Sequence, residues 1–579
     1  MLILGISEID NDAGAVLLKD GELVGAANEE RFTRVKQQAG VPLKTIEWLL
    51  KKAGAALSDV NHMYVVRQDV HSEYSHTLKK LDQTKWFSWP GSLTHKILNY
   101  GIWKFRNYPK VREGQYHYNK MLNHWWRDQK YDVNNVSRLD HHSMHSACAY
   151  FGSGFEKALT LTADGQGDGK TATLSLWEGG CPKTIHEVYL PHSAGNFYAS
   201  ITKAAGYRPA RHEGKITGLA ARGKPDEECI AFSRRMLYNT DGSFEAPHVY
   251  GSYPALKLLL KKKGPENLAY AYQMVLEEVL KKYISQYIKI TGVKNICLAG
   301  GVCANVRLNQ KIREIPEVEN IFIFPHMGDG GLGWGAAMWG WNGIINRDKP
   351  FTPKPIHDVY WGPSFNEEDI ENALTAERIR YSRPENLEKV MANLLAQGEL
   401  IARFNGAMEF GPRALCHRSI FYHPADPTVN DWLNKKLQRT EFMPFAPVTR
   451  EEDAPKMYKN FFGAQHSSKF MTLTFDCTDE MIQSCPAVIN VDGTARPQTI
   501  SADTDISTYK VLTYFKENTG LSSFLNTSLN MHEEPIVCTS EDAIKACISA
   551  KFRYLAIGPF LAEFEFPSPP KNNLPPSYN

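Results

Sequence analysis

One local order of elements occurs twice in this chain, and it constrains the fold more than any other feature. Leu2–Ser7 is apolar, Glu8–Gly14 is acidic and small, and Ala15–Lys19 is apolar again. Asp20-Gly21 then makes a two-residue turn and Glu22–Ala27 closes a β-hairpin. Roughly 155 residues later the order returns as Ala158–Ala163, the polar run Asp164–Lys170 (DGQGDGK), Thr171–Trp177, Gly179-Gly180 and Thr184–Leu190. Two copies of strand, polar glycine loop and hairpin predict a duplicated α/β domain with its chemistry on the loops.

This is the architecture of the actin, hexokinase and heat-shock-chaperone group, in which two related lobes hold a nucleotide between their loops. At 579 residues the chain is too long for one core. Pro42–Gly54 reads as a helix with an apolar stripe, Met63–Val66 as a strand, and Ala269–Ile290 as a long amphipathic helix leading into the buried strand Asn295–Ala299. Residues 80–130 hold five of the twelve tryptophans and read as a helical insertion or an aromatic lid over an acceptor. Lys349–Pro363 holds four prolines. The expected division is therefore a domain over 1–345, a linker over 346–365, a second α/β domain over 366–562 and a proline-rich tail over 563–579 with too little apolar content to pack.

Composition excludes several classes. Lys plus Arg is 66 against 64 for Asp plus Glu, a net charge of +2, so stable nucleic-acid binding gets no support. No run approaches ~20 apolar residues, so no membrane span is expected. MLILGIS passes directly into acidic residues and reads as a first strand, not a signal peptide. Ten scattered cysteines form no CxxC pair, which predicts reduced, buried thiols in a cytoplasmic protein.

The sharpest chemical constellation is Asp140-His141-His142-Ser143-Met144-His145. His141 and His145 are four apart, so on a helix they share a face and can share a metal. Carboxylates would complete the set, with Asp164 and Asp329 as candidates, and such N/O ligation suits Fe(II), Mn(II) or Zn(II). Gly300-Gly301 after a buried strand allows a nucleotide's phosphates close approach to backbone N–H groups.

The string DHHSMHSACAYFGSGF (140–155) resembles the histidine motif of the NodU/CmcH O-carbamoyltransferases. The resemblance continues through TADGQGD, HEGKITGLAARG, LAGGVCANVRLN and FPHMGDGGLGWGAA. In the C-terminal half it runs through NGAMEFGPRALCHRSI, NKKLQRTEFMPFAP, VDGTARPQT and SFLNTSLNMHEEPIV. It implies an N-terminal domain shared with the tRNA threonylcarbamoyl-transferase family, followed by a YrdC-like α/β domain that makes carbamoyl-adenylate from carbamoyl phosphate and ATP with Mg2+. It implies His141, His145, Asp164 and Asp329 as ligands of a divalent metal, usually iron as Fe(II). It places Gly165, Asp168, Glu213, Gly300, Gly301 and Asn305 around a nucleotide and Lys215 in the same cleft. Arg413, Arg418, Arg439 and Arg496 become anion clamps, because a guanidinium fork matches phosphate oxygens, with Asn526 and Ser528 as further ligands. Asp10 or Asp12 in the first loop are candidate bases for an acceptor hydroxyl.

Departures from the pattern are Leu437 for a lysine, Met443 for an arginine, Cys416 for a glycine, and Asn11 and Gly14 for a histidine and a serine. If position 416 needs positive φ, a cysteine there costs on the order of 1 kcal/mol. The expected function is ATP-dependent O-carbamoylation of a small molecule, sugar or nucleoside, with a homodimer left open. The rivals are a nucleic-acid-modifying carbamoyl transferase and a nucleotide-binding protein that has lost catalysis.

Overall fold

The computed structural model describes residues 1–7, 11–66, 135–249, 251–345, 351, 353–439 and 445–570. Asp10, the aromatic segment 80–130 and Met443 lie outside them.

The chain forms two compact units. The first comprises residues 1–25 and 39–355, and the second 26–38 and 356–579. The N-terminal unit holds two five-stranded sheets. In the first, β1 (Leu2–Ile6), β2 (Gly14–Lys19), β3 (Glu22–Asn28), β4 (Val60–Val66) and β5 (Val136–Leu139) lie in the order β3-β2-β1-β4-β5. The second contains β6 (Lys157–Gly167), β7 (Lys170–Glu178) and β8 (Cys181–Tyr189). A separate two-stranded ribbon, β9 (Tyr238–Thr240) with β10 (Ser243–Glu245), precedes its last strands, β11 (Asn295–Ala299) and β12 (Asn320–Ile323). The second order, β12-β11-β6-β7-β8, is the first one again. In both sheets the central strand pairs antiparallel with the hairpin and parallel with the strand beyond. The duplication expected from the hairpins is therefore a repeat of whole-sheet topology.

The second polar run behaves differently from its expected role as a loop. β6 continues through Asp164–Gly167, with a register shift between Ala163 and Gly167, and the chain reverses at Asp168 (φ 49°) and Gly169 (φ 78°). A bulge of this kind keeps the strand in the sheet while re-aiming one side chain, here Asp164. The amphipathic helix runs over Pro265–Thr291, with buried Leu268, Tyr272, Val275, Leu276, Val279 and Ile284 marking its core face. No described helix is long and apolar enough to cross a membrane.

The C-terminal unit is built on an eight-stranded sheet. Its strands are β13 (Arg380–Ser382), β14 (Ile401–Phe404), β15 (Arg418–Tyr422), β16 (Ala446–Arg450), β19 (Gln498–Ile500), β20 (Ser523–Ser528), β21 (Tyr554–Ile557) and β22 (Phe560–Glu563). The short strands β17 (Phe475–Asp476) and β18 (Thr494–Ala495) pair beside it. The helices Leu387–Ala396 and Ile506–Thr519 pack on one face through Met391, Leu395, Val511, Leu512 and Phe515.

Two segments differ from expectation. Residues 356–363 are not a free linker: Gly362 N donates to Met408 O (2.9 Å), Met408 N to Pro363 O (2.9 Å) and Phe410 N to Val359 O (2.7 Å). Prolines restrict the chain without preventing it from pairing where an N–H is available. The start of the tail also packs: Phe564 is buried, and Ser568 Oγ donates to Glu399 at 2.9 Å.

Candidate functional site

Asp140 starts the histidine helix. Its Oδ1 accepts the Ser143 N–H and the Ser143 hydroxyl, both at 2.8 Å, so the helix begins at His141 and runs to Ser153. His141 and His145 consequently fall on one face, each about 1% exposed. Asp164 comes from the bulge of β6, and Asp329 opens a short turn over Asp329–Gly331. One donor atom from each of the four residues lies within 4.8 Å of the others. His145 Nε2 is 3.2 Å from Asp164 Oδ2 and 3.5 Å from Asp329 Oδ1, and His141 Nε2 is 3.8 Å from both. Two imidazole nitrogens and two carboxylate oxygens fit a divalent first-row metal. His145 Nε2 fits it too: it is shut from solvent and makes no hydrogen bond among the described residues.

The surroundings set the ligands' positions and charge. Asp164 accepts backbone N–H bonds from Gly165 (2.6 Å) and Gly301 (2.9 Å). The His141 backbone N–H donates to Asp168 Oδ2 at 2.7 Å. Burial alone would raise the Asp164 carboxyl, but the neighbouring imidazoles of His141 and His145 hold it well below the usual range. His142 points elsewhere, with Nδ1 2.7 Å from Thr162 Oγ1, and burial beside two other histidines pushes its pKa down to about 3. Burial also opposes ionisation of Asp140, yet Lys170 at 2.9 Å and two hydrogen bonds from Ser143 together outweigh it and bring the carboxyl down to about 2. Lys170 bridges on to Glu187 at 3.1 Å.

The other predicted residues of this unit divide. Gly300 has φ +98°, and a Cβ there would stand 2.3 Å from Ala163 O, so the backbone approach needs glycine. Asn305 caps the helix Val306–Arg313 through Leu308 N (3.1 Å) and exchanges amide hydrogen bonds with Gln273 at 2.8 and 3.1 Å. Glu213 accepts from Ala210 N at 2.8 Å, and burial raises its carboxyl. Lys215 Nζ lies 5.5 Å from the centre of the Tyr207 ring. Asp12 sits in the left-handed region (φ 55°), with Oδ2 3.8 Å from Nε2 of buried His326. His326 stands in the FPHMGDGG string, but nothing local in the sequence pairs it with residue 12.

In the C-terminal unit the four arginines are not equivalent. Arg418 is fully buried and donates to the carbonyls of Asn405 (2.6 Å), His417 (3.1 Å), Gly406 (3.1 Å) and Pro363 (3.3 Å), with its guanidinium 3.7 Å from the Phe404 ring centre. This corrects its assignment as an anion clamp: as the first residue of β15 it points inward, and both its terminal nitrogens are committed to backbone carbonyls. Arg439 reaches Thr527 Oγ1 (2.8 Å), Ser528 O (2.8 Å) and Asn530 Oδ1 (2.9 Å), which draws Ser528 into its network. Arg413 is different. Its Nε is shut from solvent, burial lowers its pKa to about 10, and it has no hydrogen bond or ion pair among the described residues. Arg496 is half-buried between β18 and β19.

Asn526, on β20, donates to Ala414 O (3.3 Å) and Gln498 Oε1 (3.2 Å), while its Oδ1 is buried without a partner. Cys416 does adopt the positive φ (82°), and its thiol is buried 3.2 Å from Gln498 Oε1 and pushed well above its usual range by that burial. Leu437 is buried at 1% exposure, so the residue in place of the pattern's lysine is a core side chain.

The sequence of residues 2–338 matches the family model described as carbamoyltransferase N-terminus, and 392–563 matches carbamoyltransferase C-terminus. The chain belongs to the carbamoyltransferase family. It is 31% identical over 606 aligned residues to an uncharacterized protein of Synechocystis sp., covering 96% of each chain. An uncharacterized protein of Methanocaldococcus jannaschii is 30% identical over 97% of this chain and 99% of its own. Nodulation protein NolNO of Sinorhizobium fredii is 29% identical over 96% of this chain and 80% of its own. This carbamoyltransferase therefore carries both of the family's halves.

Proposed function

We propose that this carbamoyltransferase activates carbamoyl phosphate with ATP in the C-terminal unit and transfers the carbamoyl group to an acceptor hydroxyl at the N-terminal unit. One observation carries the activation step: Arg413 is half-buried, its Nε is shut from solvent, and it has no counter-ion among the described residues. A cation partly withdrawn from water gains from an anion beside it, and a guanidinium prefers the oxygens of a phosphate. Asn526 Oδ1, also buried without a partner, is suited to accept from the carbamoyl NH2 group.

Activation balances as follows. Water cleaves carbamoyl phosphate to carbamate and phosphate; a carbamate oxygen attacks the α-phosphorus of ATP; pyrophosphate leaves and carbamoyl-adenylate remains. The acceptor oxygen then attacks the carbamoyl carbon, AMP departs, and the hydroxyl proton passes to a base, for which Asp12 with His326 beside it is the candidate pair.

His141, His145, Asp164 and Asp329 would hold a divalent metal, Fe(II) by family resemblance, and when bound it supplies Lewis-acid stabilisation of negative charge. Asp164 stays anionic through its two histidine neighbours, and Gly165 and Gly301 orient it. The test is ATP–pyrophosphate exchange. Exchange that depends on carbamoyl phosphate is expected, and exchange without that dependence, or none in the metal-replete protein, sinks the proposal.

A further inference from the structure

Residues 26–38 come early in the chain yet belong to the C-terminal unit. Arg31 there is 5% exposed, and its Nη2 donates to Gly411 O at 2.8 Å while Nη1 pairs with Glu30 at 3.0 Å. Glu30 is buried as well and uses its other oxygen to accept the Gln37 N–H at 2.7 Å. Arg34 adds bonds to Ile536 O (2.8 Å) and Pro535 O (2.9 Å). The segment is thus fastened to the C-terminal unit by charged donors on backbone carbonyls, which are stronger bonds than neutral ones.

Gly411 stands two residues before Arg413 and has φ +139°, a conformation that other residues rarely adopt. The far side of the same loop is held by Glu409, whose Oε1 accepts the N–H groups of Leu415 (2.7 Å), His417 (2.9 Å) and Arg418 (3.1 Å). Arg31 therefore fixes the loop's carbonyl side and Glu409 its amide side. Between those fixed points stands Arg413, without a partner among the described residues. A cation whose backbone is already ordered binds its anion without first meeting the cost of ordering.

We propose that Arg31 is a positioning residue for carbamoyl phosphate, acting through the Gly411 carbonyl on Arg413, and that the anion site of the C-terminal unit is incomplete without residues 26–38. This rests on the reading of Arg413 as an anion ligand.

The experiment uses full-length protein: wild type, Arg31→Ala, Arg31→Lys, and Val35→Ala as a change at an exposed residue of the same segment. ATP–pyrophosphate exchange is measured against carbamoyl phosphate concentration, and hydrogen–deuterium exchange is followed over residues 405–418. Loss of a charge-assisted hydrogen bond should raise KM for carbamoyl phosphate about tenfold or more in Arg31→Ala, change kcat less, and speed amide exchange in 405–418. Arg31→Lys should recover part of the KM, and Val35→Ala should match wild type. If Arg31→Ala does not fold, Arg31→Lys decides, with a raised KM supporting the proposal and a wild-type KM overturning it. Unchanged KM and loop exchange in folded Arg31→Ala, or an equal loss in Val35→Ala, also overturns it. Absence of carbamoyl-phosphate-dependent exchange in the wild type would instead bring down the reading of the C-terminal unit.

Discussion

Gly167→Ala should disable the proposed metal site without changing any of its four residues. A Cβ at Gly167 would stand 2.1 Å from His141 Cδ2, 2.2 Å from Cγ and 2.6 Å from Nε2. Carbon atoms in contact settle at about 3.5–4.0 Å, so the imidazole must retreat by more than about 1 Å. His141 is 1% exposed and has no open side to enter. The strand has limited room to yield, because Gly167 is itself paired with Lys170 of β7. Metal–ligand distances tolerate only about 0.2 Å, so the displaced ring leaves the coordination shell. Overpacking should lower stability by roughly 1–3 kcal/mol. Metal affinity should fall by at least the ten- to hundredfold typical of disturbing a group behind the ligands. The assay is a Zn(II) titration against a competing chelator, with His141→Ala as the reference loss and a thermal melt beside it. A folded Gly167→Ala protein with wild-type affinity would refute the argument that these four residues form the site in this geometry.

Three further outcomes are expected. Arg413→Ala should abolish most carbamoyl-phosphate-dependent exchange with little loss of stability, whereas Arg418→Lys should cost about 3 kcal/mol or more in urea unfolding by leaving buried carbonyls unpaired. Equal stability losses would return both arginines to one role. Lys170→Met should destabilise by roughly 2 kcal/mol at neutral pH, because Lys170, together with Ser143, outweighs the burial of Asp140 and brings its carboxyl to about 2. A depressed carboxylate pKa contributes above the unfolded value near 4, so the wild-type advantage should fade as pH falls from about 4 towards 2; an advantage constant with pH would exclude the ion pair as its source. Of the ten free cysteines only Cys181 is exposed, so a disulfide reagent should titrate one thiol rapidly in the native protein and the remainder after denaturation.

Much of the candidate metal site was legible in the sequence, because its determinants are local. An i, i+4 spacing puts His141 and His145 on one face of any helix, and Asp140 before them is a capping residue. The hairpins were legible for the same reason, since turn residues and strand alternation act over a few positions. The DGQGDGK run misled, because glycine and aspartate signal a turn equally well when a strand bulges and continues. Asp164 and Asp329 stood as candidate carboxylates in the sequence, the family resemblance joined them to the histidines as one set, and the fold brings their oxygens within reach of both rings.

What the sequence determined by itself was therefore the kind of unit, its duplication and the family, each written in short-range pattern or contiguous motif. Tertiary structure alone decided which identical residue types do different work. Arg413 and Arg418 stand five apart in one motif, yet strand pairing wraps Arg418 in four carbonyls and leaves Arg413 without a partner among the described residues. Arg31 meets Gly411 across 380 residues, and Asp12 meets His326 across more than half the chain. Such contacts depend on how sheets and loops close over long separations, which leaves no periodic trace in either segment alone.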